Sequence, residues 1–112
     1  MTVARLRAAV DALAPEALAE DWDNVGLLVG RADRPVDRAL VALDLRAETV
    51  REAVRRDAQA IVTHHPPIFP AAAALTDADP STARVLEAAE AGVAVIAAHT
   101  NLDAAPGGLN DI

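Results

Sequence analysis

Three short apolar runs constrain this chain most: residues 39–45 (ALVALDL), 60–63 (AIVT) and 93–98 (VAVIAA). None alternates apolar with polar side chains, so each reads as a strand buried on both faces. Between the first two, Val50, Ala53, Val54 and Ala58 recur at helical spacing. Between the last two, Asp79 or Ser81 can cap a helix with Pro80 in its first turn, running through Leu86 and ending at Gly92. Strand–helix–strand–helix–strand predicts an α/β fold, a mostly parallel sheet with helices packed on its faces. A further helix is predicted from about Thr2, as N-cap, to Ala14 before Pro15, with Val3, Leu6, Val10 and Leu13 on one side. Residues 25–29 predict a short strand entered from the loop DWDN, and residues 70–80, rich in alanine and proline, predict a loop.

At 112 residues the chain reads as a single domain, 1–112. One Phe, one Trp and no Tyr leave the core to aliphatic side chains, so Trp22 is expected to pack inside. Asp23 and Asn24 read as turn formers, with a place at the site as the other reading. A net charge of −7 argues against nucleic-acid or anionic-membrane partners. The absence of cysteine excludes a disulfide framework and thiolate ligands. No apolar run reaches the roughly 18 residues of a membrane span, and a soluble, cytoplasmic chain is expected.

In open α/β sheets ligands bind beyond the carboxyl ends of the strands. Asp44, the His64–His65 pair and His99 all fall at such ends, so that every histidine of the chain lies on one edge. The stretch HTNLDAAPGG then places Asp103 a short loop beyond His99. Neighbouring imidazoles at a strand end, followed by Pro66 and Pro67 that restrict the backbone, suit two divalent metal ions, one imidazole to each. A carboxylate can bridge such a pair with its two oxygens. Histidine with aspartate favours Zn, Fe, Mn, Ni or Co.

The segments EDWDNVGLLVG (20–30), ALVALDL (39–45), IVTHHPPIF (61–69) and VIAAHTNLDAAPGGLND (95–111) resemble, in order and spacing, the NGG-interacting-factor-three-like family of dinuclear metal proteins, also called GTP cyclohydrolase I type 2 homologues. The resemblance implies that this is the N-terminal portion of a larger two-lobed fold. It implies two divalent metal ions held by His64, His65 and a bridging Asp103, with His99 as the histidine that either supports the ligands from behind or handles the proton. It also implies assembly into a homohexameric ring. The family's later His-x-x-x-Glu ligands are absent from these residues, which reads as truncation and predicts a marginally stable piece with weak metal affinity. The resemblance implies a metal-dependent hydrolase of unknown small-molecule substrate. A non-catalytic metal-binding or metal-delivery scaffold, or an inactive gene fragment, is the alternative.

Overall fold

A computed structural model describes residues 1–69 and 72–111. Helix α1 (Val3–Leu13) begins where the Thr2 hydroxyl accepts the backbone N–H of Arg5. Strand β1 (Gly26–Val29) follows, then β2 (Ala39–Ala42), α2 (Ala47–Arg55), β3 (Ala60–Thr63), α3 (Pro80–Glu90), β4 (Ala94–Ala97) and α4 (Thr100–Ala104). The Asp79 carboxylate caps α3 by accepting the N–H of Ser81, with Pro80 in the first turn as predicted. The loop predicted over 70–80 is described from residue 72 onward; Pro70 and Ala71 lie outside the described residues.

The four strands form one sheet in the order β1-β4-β3-β2. β2, β3 and β4 are parallel, in the registers Ala39↔Ala60 and Ala60↔Ala94, while β1 pairs with β4 antiparallel. Parallel sense brings the carboxyl ends of β2, β3 and β4 to one edge. The side chains of β3 and β4 divide between two cores. Ile61 and Val95 face α2 and α3, packed among Val50, Ala53, Val85 and Ala88. Ala60, Ala94 and Ile96 face α1 and meet Val3, Leu6 and Val10.

Strand β2 departs from expectation. The run 39–45 yields a strand only over Ala39–Ala42, and it is an edge strand with one uncovered face. Val41 is 79% exposed and Leu43 is also exposed. The physical reason is coverage: the core under α1 draws on β1, β3 and β4 and stops short of β2. Gly30, just after β1, has φ +108, and a Cβ there would stand 2.8 Å from the Ala94 Cα and Cβ. That position lets the β1 end cross tightly over β4 and accepts glycine on both counts.

Candidate metal centre

Strand β3 ends at Thr63, whose buried hydroxyl donates to the carbonyl of His65 at 2.9 Å. The backbone N–H groups of His64 and His65 still reach β2, donating to Ala42 and Leu43 carbonyls. This bend defeats the alternation an extended strand would impose, and the two imidazoles lie side by side with ring centroids 5.1 Å apart and planes 43° apart. His99 arrives from the end of β4, its centroid 5.1 Å from His64 and 5.6 Å from His65. One ligating nitrogen from each ring lies within 4.8 Å of those of the other two.

Each ring is held by its Nδ1. His64 Nδ1 donates to the Ala98 carbonyl at 2.8 Å, His65 Nδ1 to Asp44 Oδ1 at 2.6 Å, and His99 Nδ1 to Asp23 Oδ1 at 3.0 Å. Carbonyl and carboxylate oxygens only accept, so each bond puts the proton on Nδ1 and leaves the Nε2 lone pair free. An imidazole with one nitrogen tied to an oxygen acceptor and the other free is the usual posture of a metal ligand. The donor set, three imidazoles with a nearby carboxylate, fits a borderline divalent cation. Asp103 stands beside His64, its Oδ1 3.8 Å from His64 Nε2. It is carried there by α4; the segment read as a loop after His99 is a short helix.

Asp23 does far more than form a turn. Its side chain is 0% exposed. Besides His99, it accepts from the N–H of Asn24 at 2.9 Å, the N–H of Thr100 at 3.0 Å and the Thr100 hydroxyl at 2.5 Å. Burial pushes this carboxyl up, but the bonds from Thr100 and His99, with those backbone N–H groups, outweigh it and hold it at about 2. Asp23 is therefore a fixed anion under His99. The neighbouring Asn24 donates its amide to the Ile68 carbonyl at 2.5 Å, tying the same loop to the segment after the histidine pair. Asn101, 1% exposed, accepts the N–H of His99 through Oδ1 and donates to the Ala14 carbonyl, both at 2.8 Å.

The structure thus gathers His64, His65, His99, Asp44 and Asp103 at the predicted edge. Sequence reasoning missed the weight of Asp23 and Asn101, whose partners lie far away along the chain. Trp22 also departs from expectation. It is 60% exposed and sits at the mouth of the cluster rather than in the core, because the aliphatic side chains on both faces of the sheet fill the interior without it.

Among curated proteins, the GTP cyclohydrolase 1 type 2 homolog of Lactococcus lactis is 43% identical over 97 residues, which is 87% of this chain and 38% of that protein. The protein of the same name from Bacillus subtilis is 36% identical over 98 residues, 88% of this chain and 26% of its own length. Among solved structures, Staphylococcus aureus protein SA1388 superposes with a TM-score of 0.93 at 39% identity, over 99% of this chain and 36% of that one. Reduced HcgD from Methanocaldococcus jannaschii gives 0.89 at 28% identity, over 99% of this chain and 44% of that one. The chain accordingly spans between a quarter and a half of the length of these relatives. With the family's sequence model matching residues 1–112 throughout, the chain belongs to the Duf34/NIF3 (NGG1p interacting factor 3) family.

Proposed function

We propose that this edge is a divalent-metal centre and that the whole protein is a metal-dependent hydrolase. The observation that supports the reading is the anchoring of the neighbouring His64 and His65 rings through Nδ1, which leaves both Nε2 lone pairs free, with His64 Nε2 3.8 Å from Asp103 Oδ1. His64, His65 and Asp103 are the ligands on this chain, with room in the reading for two ions. A divalent ion held there supplies Lewis acidity and makes a water molecule more acidic.

The chain's own residues do the rest. Asp44 orients His65, and the Ala98 carbonyl orients His64, so neither ring must be ordered when a ligand arrives. His99 handles the proton at Nε2, while the buried Asp23 carboxylate accepts its Nδ1–H and fixes the orientation of the ring. The name carried by the relatives directs a substrate screen toward nucleotides. The ring assembly and cytoplasmic location implied by the resemblance belong to the same proposal, and light scattering of the metal-loaded protein tests the former.

Two variants test the central reading, measured in the full-length protein by metal analysis and by hydrolysis of a nucleotide and phosphoester panel. His64→Ala is expected to lose metal and turnover together. His99→Ala is expected to keep the metal and lose turnover. Full metal content without turnover in the unaltered protein favours the scaffold reading, and unchanged metal content in His64→Ala removes the centre altogether.

A further inference from the structure

The chain contains one tryptophan and one phenylalanine, and neither is used in the core. Trp22 is 60% exposed and Phe69 is 48% exposed. A chain this poor in aromatic rings gains most from burying them, yet it places both at the His cluster. Their centroids are 5.8 Å apart, and each lies 6.4 Å from the centroid of His99. The three planes cross at 76°, 81° and 86°, so the rings meet like the walls of a box corner.

The corner is held from both sides. The Asn24 side-chain amide donates to the Ile68 carbonyl, tying the loop two residues after Trp22 to the residue before Phe69. Asp23, between Trp22 and Asn24, is bonded to His99 and Thr100. The two exposed rings are thus presented by anchored backbone, beside the imidazole that the proposed reaction uses.

We propose that Trp22 and Phe69 are the substrate-ring subsite: they receive a planar heteroaromatic group and hold it against the His cluster. A flat ring in the corner stacks on one wall and meets the others edge-on, the arrangements aromatic pairs favour. Stacking of a base on an aromatic side chain tolerates any base, because each has a π-face. The proposal rests on the metal-centre reading for what happens to the ring, and it names the class of substrate that the site selects.

Within these 112 residues Trp22 is the only tryptophan and there is no tyrosine, so a Trp22→Phe variant isolates its contribution to the fluorescence. Adenosine is titrated into the protein in the presence of a chelator, with ribose as control, while Trp22 fluorescence is followed. Saturable quenching by adenosine and none by ribose is expected. Phe69→Leu should weaken adenosine binding about tenfold, within the range for loss of one stacking partner, and Phe69→Tyr should restore it. Circular dichroism checks that both variants keep the fold. Absence of saturable quenching, or equal affinity in Phe69→Leu, overturns the subsite. The chelator keeps the outcomes apart: adenosine binding with no metal uptake in a parallel titration sinks the metal centre alone, and metal uptake without adenosine binding sinks the subsite alone.

Discussion

Asn101→Ala removes a single side chain that joins the first helix to the candidate site across 87 positions of sequence. The Asn101 amide donates to the Ala14 carbonyl and its carbonyl oxygen accepts from the His99 N–H, each at 2.8 Å, with the side chain 1% exposed. Alanine fills none of that role. The Ala14 carbonyl and the His99 N–H are left without these partners, and an orphaned buried group costs about 1–3 kcal/mol. Two such groups, with partial relaxation, predict a loss of about 3 kcal/mol. For a domain of this size that is a fall in Tm of roughly 12 °C. Asn110→Ala, on the exposed surface, is the control and should change stability by less than about 0.5 kcal/mol. Urea denaturation followed by circular dichroism measures both. Asn101→Asp sharpens the test, since the carboxyl it introduces faces the Ala14 carbonyl oxygen. Its ionised form is disfavoured in the fold, so its folded pKa is raised, and the variant should lose more stability at pH 7 than at pH 4. A loss under about 1 kcal/mol in Asn101→Ala, or no difference between those two pH values in Asn101→Asp, refutes the reasoning.

Three further outcomes are expected. Asp44→Ala leaves His65 Nδ1 without its 2.6 Å partner, and zinc affinity measured by competition with a chromophoric chelator should fall about 10- to 100-fold; a fall under threefold denies Asp44 its orienting role. Gly30→Ala forces a Cβ to within 2.8 Å of Ala94 at φ +108 and should cost about 1–3 kcal/mol in chemical denaturation, whereas Gly107→Ala, with open space around it, pays only the conformational penalty of its positive φ and should lose less. The Asp23 carboxyl is lowered from 3.8 to about 2 in the fold, a difference worth roughly 2 kcal/mol. Being depressed, it contributes stability that is present above pH 4 and lost as pH falls toward 2, and in the metal-free protein Asp23→Asn should flatten that acid limb.

What the sequence reveals depends on how local its cause is. β3 (Ala60–Thr63) was readable to the residue, because a fully apolar run bounded by polar residues has one solution here. The Thr2 and Asp79 caps were readable because a cap acts over three positions. Strand direction is another matter: β1 runs antiparallel to β4, and nothing within residues 25–29 encodes a partner about seventy positions away. The exposure of Val41 was hidden for the same reason, since it reflects which strands α1 happens to cover. At the site, the edge bearing Asp44, His64, His65 and His99 followed from sheet topology alone. Asp23 gave no comparable signal, because its bond to His99 spans 76 positions. Only its place beside the sole tryptophan, at what proves to be the site's mouth, distinguished it from an ordinary turn aspartate.

Those long spans have a thermodynamic consequence. The three imidazoles are anchored by Asp23 before β1, Asp44 after β2 and Ala98 after β4, so the convergent arrangement exists only when the whole sheet has formed. In the unfolded chain His64 and His65 remain neighbours and retain a weak local affinity for metal, but Asp103 is 38 positions from His65 and loop closure alone must bring it back. A divalent ion at the proposed centre thus binds the folded state far better than the unfolded one, and it stabilises the fold by about 4 kcal/mol at a thousandfold excess over its dissociation constant. Weak unfolded-state binding by the histidine pair subtracts from that figure. The metal-dependent rise in Tm therefore reads out how much affinity the fold adds beyond the dipeptide; it should vanish in His64→Ala and shrink in Asp44→Ala, which releases the His65 ring although Asp44 is not proposed to touch the ion.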